Sequence, residues 1–532
     1  MDWQKHPLFR LSLALVAGMV IADATIAVLI SRVMVLFISL CFCAILLAIQ
    51  NGRKSRGSHF PWFGATSMMF ATILGAILYT LSYRGVQGSC TNDVSQGVVV
   101  NKPLRKAHSW AVTMENRNGG KFIAYIDDES DSTVLSNIQT GDTIYFTASH
   151  FSPTCPLDLQ EEDSAFAPYR RYLFFSGIGA TCYIHHDDWT LKPTSRNVSI
   201  FEKWRAAMSD AYSDAGLTDE EGALIEALTT GNKSLLPKDL KENYSRSGIS
   251  HILALSGFHL AVIFAMLNIL LAGIALPYGW QWTKSLIIVA SLWTFTLLAD
   301  APPSLVRAAV MCSIMSIGGC IGRPVLSVNS LALAAVVMLC VNPLMLNDVG
   351  FQLSYISVLA ICVMAVPCCR KFEERLYGNT YSESTLTRIG KRTLSYFVGV
   401  AVVSFACSVA TAPLVAYHFH SVAVLSVLTN LIVSALAAIL LYTSALWWML
   451  FWWDGIREAL TEVLRGCTWM MNAVAEIISS IEWAAVSWSP NKIQLLISYF
   501  LIISAVSFFY RRTAFRLKLT LAALVLLLAT FL

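Results

Sequence analysis

Apolar runs of about 17–25 residues recur along this chain and constrain its fold more than any other feature. A run of that length crosses a bilayer as a helix, because the backbone must satisfy its own hydrogen bonds there. The 532 residues are 56% hydrophobic and 14% charged, whereas soluble domains are about 25% charged. The sequence therefore predicts a polytopic α-helical membrane protein. The predicted spans lie near residues 8–30, 33–50, 61–83, 251–276, 284–300, 303–321, 325–342, 349–367, 394–416, 422–446, 492–510 and 516–532.

Short loops rich in Lys and Arg set the orientation of these spans. Such loops are residues 51–58, 370–392 and 511–518. All three fall on one side if the N-terminus is cytoplasmic, which places the polar region 84–248 outside. That parity needs one more crossing between residues 446 and 492, whose position the sequence leaves open. Part of that stretch is an alternative candidate for an amphipathic helix at the membrane interface.

The polar region has the pattern of a small β domain. Short segments rich in β-branched and aromatic residues alternate with turn signals such as Gly119-Gly120 and Gly141-Asp142. Five such strands predict an extracytoplasmic barrel of the OB type, with a sandwich fragment as the alternative. The segments are residues 97–100, 109–114, 121–126, 142–149 and 180–186.

Basic residues of this region are candidates for nucleic-acid contact. OB barrels often bind single-stranded nucleic acid through aromatic side chains and a basic groove. Acidic residues are at least as numerous here, so an ordinary solvated surface is the competing interpretation. The candidate contacts are Lys102, Arg105, Lys106, Arg170 and Arg171.

His185-His186-Asp187-Asp188 contains the residue types that bind metals. Adjacent strand residues point to opposite faces of a sheet, so the two histidines are poorly placed to chelate one ion. We therefore expect a solvated strand end and no metal site.

Three of the 13 cysteines, Cys90, Cys155 and Cys182, lie in the region predicted to be outside. An oxidising compartment allows one pair and leaves one thiol. Spacing alone does not fix the pair. We favour a disulfide between Cys155 and Cys182, because Cys90 lies close to the membrane.

Residues 248–260, GISHILALSGFHL, put polar side chains at the mouth of a predicted span. Polar groups in a membrane are expensive and mark either a cavity or a contact between helices. Ser256 and His259 lie three residues apart, on one face of a helix. His251 precedes them by one further turn. Both interpretations, lining a path and bonding between helices, stay open.

Pro302-Pro303 removes amide donors and breaks a second span. Asp300 and Arg307 flank this break. They could form an ion pair across it; alternatively, Arg307 faces a phosphate or reaches the membrane interface. Gln352, Ser354 and Asn430 carry the same two interpretations as His259, path lining or hydrogen bonding between helices.

Four stretches in this order resemble signatures of the ComEC-type competence protein family, the DNA-uptake channels of naturally transformable bacteria. They are residues 248–263, 303–311, 342–361 and 411–431, and residues 165–178 are similar to the stretch that closes the family's outer OB-like domain. The resemblance implies a channel that passes incoming single-stranded DNA to the cytoplasm. The implied path candidates are His251, Ser256, His259, Asp300, Arg307, Gln352, Ser354 and Asn430.

Two departures from the family's pattern bear on activity. Many members end in a metallo-β-lactamase-like domain with a His-x-His-x-Asp-His motif, which this sequence lacks. We therefore expect no nuclease activity, no catalytic residues and no cofactor. Ser434-Ala435 stands where the family has a Pro, which puts a broken helix at that place in doubt.

The resemblance implies single-stranded DNA and the lipid bilayer as partners, with a DNA receptor, a separate nuclease and a cytoplasmic motor. No phosphate-binding P-loop is present to drive transport. Alternatives are a transporter of another polar solute, a membrane scaffold on the same fold, or an intramembrane serine protease using Ser256. The protease needs a Gly-x-Ser-Gly motif, but residue 254 is Ala.

The predicted organisation has four parts and leaves the oligomeric state open. The chain is expected in the bacterial cytoplasmic membrane. The parts are N-terminal transmembrane helices (1–83), an extracytoplasmic OB-like domain (84–197), amphipathic extracytoplasmic helices (198–250) and a competence-type transmembrane channel domain (251–532).

Overall fold

The computed structural model forms two compact units, which are described separately. One comprises residues 1–198 and 332–348, and the other residues 199–331 and 349–532. The structure describes residues 6–25, 62–87, 95–101, 103–106, 108–127, 134–135, 138–147, 151–156, 167–193, 199–233, 235–272, 281–322, 328–377 and 385–530.

Two long helices of the first unit pack with their backbones in close contact. A Cβ atom at Gly18 would lie 1.7 Å from the carbonyl oxygen of Thr72, and one at Gly75 would lie 2.2 Å from that of Leu15. Only glycine permits this approach, as is common between membrane helices. The predicted span 33–50 and loop 51–58 lie outside the described residues. The two helices are α1 (Pro7–Thr25) and α2 (Trp62–Gln87).

All five predicted strand segments are strands of one sheet. Alternate residues of its strands are buried, as the sequence pattern predicts. The strands are β1 (Gln96–Val99), β2 (Leu104–Arg105), β3 (Ser109–Glu115), β4 (Lys121–Asp127), β5 (Thr143–Phe146), β6 (Phe151–Pro153), β7 (Ile178–Ile184) and β8 (Trp189–Lys192).

The sheet has the strand order β6-β7-β4-β3-β1-β5-β8, with β2 paired to β3. Strands β4 and β7 are parallel, whereas β3 and β4 form an antiparallel hairpin. Its core includes Val112, Phe122 and Ile144. Pairing between the edge strands β6 and β8, which would close this sheet into a barrel, is not among the strand pairs of the described residues. The OB assignment therefore stays a prediction.

The predicted disulfide between Cys155 and Cys182 is not formed. Both residues are buried thiols. Cys182 lies opposite Phe151 in the β6–β7 ladder, so Cys155 is four residues further along, a distance of about 13 Å in extended chain. A disulfide needs Cα atoms within about 7 Å. Cys155 Sγ instead lies 3.4 Å from the hydroxyl of Tyr83.

Helices make up most of the remaining chain. They are α3 (Ala167–Phe175), α4 (Ile200–Asp214), α5 (Glu220–Thr229), α6 (Lys238–Arg246), α7 (Ser250–Leu253), α8 (Gly257–Ala272), α9 (Gln281–Leu298), α10 (Pro303–Cys320), α11 (Val328–Val341), α12 (Val349–Ala360), α13 (Val366–Tyr377), α14 (Thr385–Phe419), α15 (Ser426–Met449), α16 (Asp454–Ser479), α17 (Lys492–Tyr510) and α18 (Ala514–Ala529). Short 3₁₀ turns (Pro343–Asn347, Glu482–Ala484), a π turn joining α12 to α13 (Ile361–Ala365) and a two-stranded sheet of β9 (Ser421–Ala423) and β10 (Ala485–Ser487) complete it.

Among the described residues, seven helices are long and apolar enough to cross a membrane. Three shorter apolar helices, α8, α9 and α11, fall on further predicted spans. The chain is thus a mostly helical, multi-pass membrane protein with a β-sheet region. The seven are α1, α2, α10, the continuous α12–α13, α14, α15 and α17.

Helix α5 is a core helix, although residues 198–250 were predicted to form amphipathic helices. Every residue from Gly222 to Thr229 is buried. Its side chains join Val433 and Ala437 of α15 and Met471 of α16 in one apolar cluster. The buried Glu226 of this helix accepts hydrogen bonds from Ser209 and Asn232, which satisfy its carboxylate inside the bundle.

The stretch between residues 446 and 492, left open by the sequence, contains the 26-residue helix α16. At 1.5 Å per residue this helix is about 39 Å long, enough for a crossing. Its buried residues recur every three or four positions, as Leu464, Thr468 and Met471 show. Glu462 and Glu476 lie on the exposed side.

Candidate functional site

The first polar motif folds as a broken helix. Helix α7 ends at Leu253, and Ala254 adopts an extended conformation with ψ of 114°. Helix α8 begins three residues later, at Gly257. The hydroxyl of Ser256 accepts a hydrogen bond from the amide of Phe258 at 3.3 Å, which caps the new helix. The break therefore comprises residues 254–256 and ends just before Gly257.

His259 is fully buried and folds back over the start of α8. Its Nδ1 lies 3.3 Å from both the amide nitrogen and the hydroxyl oxygen of Ser256. Among the described residues, its Nε2 is buried without a hydrogen-bond partner. Because the amide of Ser256 can only donate, Nδ1 is the acceptor and Nε2 carries the proton. The ring thus presents an unsatisfied donor.

The second break, between α9 and α10, packs against the first. Asp300 and Ala301 have left-handed backbone conformations, with φ of 65° and 47°. Pro303 then opens α10 at its first position, where no amide donor is needed. The hydroxyl of Ser304 donates to the carbonyl oxygen of Leu255 at 2.7 Å. The second break thereby supplies a hydrogen-bond donor for the Leu255 carbonyl, which the interruption of the helix at the first break leaves without a helical partner.

The predicted ion pair between Asp300 and Arg307 is not formed. Asp300 Oδ1 lies 3.0 Å from Nη1 of Arg205, on helix α4. Arg307 is only 4% exposed, on the second turn of α10, so it does not reach the membrane interface either. It interacts electrostatically with Tyr355 of α12. Of its three predicted roles, the one facing a phosphate stays a prediction.

The remaining path candidates are spread over three helices. His251 lies exposed on α7 and is hydrogen-bonded to the backbone of Gly248. Ser354 donates its hydroxyl to Gly350 of its own helix at 2.8 Å, so its proton bonds no other helix. Gln352 is half-buried on α12. Asn430 lies in α15, which is unbroken at Ser434-Ala435, and its buried Oδ1 has no hydrogen-bond partner among the described residues.

A basic side chain that the sequence analysis did not select lies beside the first break. Burial lowers the pKa of Lys233, and the charge of Lys241 lowers it further. Lys233 and His251 both act electrostatically on His259. The turn that carries Lys233 packs closely on the first break. A Cβ at Gly231 in this turn would lie only 3.0 Å from Leu255. Lys233 therefore brings a basic group to the break.

Three exposed tyrosines and the half-buried Tyr125 cluster on the sheet of the first unit. Tyr125 and Tyr183 are paired in register on β4 and β7. The hydroxyl of Tyr169, from α3, lies 3.0 Å from that of Tyr125, and its ring stacks with Tyr172. Lys106 Nζ lies 4.8 Å from the ring centre of Tyr125 and 5.0 Å from that of Tyr169. We call these four tyrosines and Lys106 the tyrosine surface.

The five basic residues that were predicted to contact nucleic acid do not form one surface. Only Lys106 belongs to the tyrosine surface. Arg105 packs over Trp110, a core residue of the opposite sheet face, at 5.9 Å. Arg171 packs over the ring of Phe175 at 5.5 Å, and Arg170 is half-buried on α3. Lys102 lies outside the described residues.

Sequence reasoning missed Arg205, Ser304, Lys233 and the four tyrosines. Strand alternation places Tyr125 and Tyr183 on the outward face, so that pair had a signal. The partners of Arg205 and Ser304 lie 95 and 49 positions away in the chain. No local pattern reports such a contact.

The fold and the site define a class: a multi-pass membrane protein with two broken helices in contact and an associated β-sheet region. The sequence profile of the Competence protein family matches residues 228–513, more than half of the chain. The chain belongs to this family, which confirms the resemblance seen in its motifs.

A curated relative agrees with this assignment. ComE operon protein 3 of Bacillus subtilis (strain 168) is 24% identical over 285 residues, which cover 52% of this chain. The same match spans 32% of that protein, about a third of its length. No solved structure matches the chain.

Proposed function

We propose that this protein is a channel for the uptake of single-stranded DNA across the bacterial cytoplasmic membrane during natural transformation. The observation that carries the proposal is the contact between the two broken helices, made by Ser304 and Leu255 inside the family-matched region. Breaks in apolar helices are stable where they line a polar cavity or are buried in protein. Half-helix ends there offer partial charges to a passing solute.

The path is assigned to the residues at these breaks. His251, Ser256 and His259 lie at the first break, and Asp300 lies at the second. Arg307 is buried one turn behind Ser304 and adds positive charge to the same region. Gln352, Ser354 and Asn430 are kept as flanking candidates on α12 and α15.

A competing interpretation of the first break is enzymatic, and its geometry argues against this. A serine nucleophile needs a base in hydrogen-bond reach whose other nitrogen is oriented by a third group. Nδ1 of His259 is shared between the Ser256 hydroxyl and a backbone amide, and its Nε2 has no hydrogen-bond partner among the described residues to orient it. A transporter of another polar solute, or a membrane scaffold, is the remaining alternative.

Uptake in a deletion strain tests the channel directly. We expect a strain that lacks the gene to bind labelled DNA at its surface but to internalise none, and the wild-type gene to restore internalisation. Ser304→Ala should reduce internalisation at equal protein level, because the Leu255 carbonyl loses its donor. Ser291→Ala is the matched control, since that half-buried serine bonds only within its own helix. Normal internalisation by the deletion strain would reject the channel.

The proposed orientation puts the N-terminus in the cytoplasm and the β-sheet region outside. A reporter that works only in the cytoplasm should be active when fused after Lys54 or Arg392. The same reporter should be silent after Asp163. Activity at Asp163 would reverse the orientation and place the sheet inside.

We assign the outer DNA contact to the tyrosine surface. Exposed aromatic rings stack on bases regardless of sequence, each stacked base contributing about 1–3 kcal/mol, and Lys106 supplies a charge for the backbone. Burial and the hydrogen bond with Tyr169 raise the pKa of Tyr125, so its phenol stays neutral beside phosphates. The five side chains lie within one continuous patch, unlike the basic residues first selected.

A pair of matched variants tests this contact in the full-length protein. Tyr183→Ala and Tyr172→Ala should each weaken binding of an oligothymidylate at least fivefold, at the lower end of the stacking contribution. Tyr145→Ala is the control, because Tyr145 is 41% exposed on β5, away from this patch. Equal affinity of all three variants would exclude the tyrosine surface and leave the channel proposal standing.

The proposal also assigns the reaction partners. Single-stranded DNA and the lipid bilayer are the direct partners. A DNA receptor, a separate nuclease and a cytoplasmic motor would supply the strand and the driving force. We assign this chain no catalytic role and no cofactor.

A further inference from the structure

We propose that helices α5 and α6 lie within the thickness of the membrane, and that the charged face of α6 (Lys238–Arg246) lines a water-filled vestibule there. The vestibule admits water and polar solutes to about the middle of the bilayer. That the incoming strand is one of these solutes rests on the proposed function. The presence of water rests only on the packing of the helices and on the charges of α6.

Helix α15 gives the depth of these helices in the membrane. Its 24 residues contain no Asp, Glu, Lys or Arg, and at 1.5 Å per residue they span about 36 Å, more than the hydrocarbon core of about 30 Å. Ile432, Ile439 and Leu446 are exposed and recur at helical spacing, so this side of α15 faces lipid. Ala437, on the opposite side, packs in the apolar cluster shared with α5 and α16.

Contacts near both ends of α15 show that the chain from α4 to α7 runs along it. The hydroxyl of Tyr212, in the last turn of α4, lies 3.0 Å from that of Ser444. A Cβ at Gly248, just before α7, would lie 2.7 Å from the Cβ of Ser426. Ser426 and Ser444 are 18 positions apart in α15, which is about 27 Å. The chain between Tyr212 and Gly248, which contains α5 and α6, therefore traverses almost the whole hydrocarbon core.

Helix α6 contacts α16 near the middle of this thickness. The indole of Trp447 on α15 donates to Thr461 of α16 at 3.0 Å, which aligns these two antiparallel helices. Tyr244 of α6 donates its hydroxyl to Oδ1 of Asn472 at 2.9 Å. Asn472 is 11 positions beyond Thr461 in α16, or about 16 Å. This depth corresponds to the centre of α15.

The face of α6 that points away from α16 is charged. Leu240 and Tyr244, one turn apart, are buried against the bundle. Charged side chains within a membrane are too costly to face hydrocarbon, and they lie in protein or in water. Those of α6 are exposed and not packed in protein, so water must reach them. The exposed side chains are Lys238, Asp239, Lys241, Glu242, Ser245 and Arg246.

Cysteine labelling of the full-length chain in nanodiscs tests the vestibule. Glu242→Cys on α6 and Ile439→Cys on the lipid-facing side of α15 change exposed positions at similar depth. A thiol in hydrocarbon ionises poorly and only the thiolate reacts, so a charged maleimide should modify residue 242 at least about 100-fold faster than residue 439. Peptide mass measures each site separately from the native cysteines.

Denaturation is the control, because both introduced thiols should then react at the same rate. Slow reaction at residue 242 in the nanodisc would overturn the vestibule. Fast reaction at residue 439 would show that the centre of α15 is not in lipid and would overturn it as well.

DNA uptake by cells separates the vestibule from the proposed function. Modification of Glu242→Cys with a bulky charged maleimide should abolish the internalisation that the same cells show before treatment. Treated wild-type cells are the control for the native thiols. Modification without loss of internalisation would support the vestibule and reject it as the path of the strand. Modification of a chain that is not needed for DNA uptake would support the vestibule and reject the proposed function.

Discussion

The ion pair at the second break gives a prediction that separates the structure from the local sequence pattern. Asp300 binds Arg205 at 3.0 Å, and its side chain is 80% exposed whereas that of Arg205 is 22% exposed. An exposed carboxylate is largely screened by water, so the pair should contribute only about 0.5–1 kcal/mol. This corresponds to a factor of about 2–5 in the unfolding equilibrium constant. Asp300 and Arg307, the neighbours in sequence, should show no coupling.

A double-mutant cycle in detergent micelles measures both couplings. Asp300→Ala, Arg205→Ala and their combination should unfold in denaturant with a coupling energy of the stated size at low salt. Added salt should reduce this coupling, because it screens exposed charges. The cycle of Asp300 with Arg307 should be additive within about 0.5 kcal/mol. A larger coupling in that second cycle would refute the pairing and restore the ion pair across the proline break.

Three further predictions concern stability and thiol chemistry. Ala301→Gly should raise the free energy of unfolding by up to about 1 kcal/mol, because a left-handed alanine costs about 1–2 kcal/mol and glycine gives back about 0.5–1 through chain entropy; a loss of stability in a denaturant titration would contradict the strained backbone. Cys155 and Cys182 should both be alkylated after denaturation without reductant, as measured by mass; protection of both would restore the disulfide. Tyr212→Phe should lower the free energy of unfolding by about 1–3 kcal/mol, because the indole of Trp448 loses its acceptor at 3.0 Å; an unchanged unfolding midpoint would show that this bond contributes nothing.

The sequence predicted the elements whose cause is local. Span length and apolar content place helices such as α10 and α17 within a few residues, because the cost of burying polar groups in hydrocarbon acts on each segment separately. Alternation of apolar residues identified all five strand segments, because successive side chains of a strand point to opposite faces of the sheet and only one face is buried. The motifs also identified the family, since Gly, Pro and Ser mark helix breaks by their own conformational preferences.

The partners of side chains depended on distant parts of the chain. Asp300 binds Arg205 of α4 and not Arg307. The left-handed backbone at Asp300 and Ala301 and the two prolines that follow turn the chain between Asp300 and Arg307. Cys155 and Cys182 were predicted to form a disulfide, but the register of the β6–β7 ladder places Phe151, and not Cys155, opposite Cys182. Residues 198–250 were predicted to form amphipathic extracytoplasmic helices, yet helices more than 190 residues further on cover α5.

The sequence by itself determined a multi-pass helical chain, a β-sheet region and a polar break at Pro302, whereas the break before Gly257 came from the structure. Each follows from transfer free energies and backbone preferences that a short segment carries with it. Only the tertiary structure decided that the breaks meet, that Lys233 lies beside His259, and that tyrosines from β4, β7 and α3 share one surface. Such contacts join residues far apart in the chain, and their free energy exists only once the intervening segments have packed.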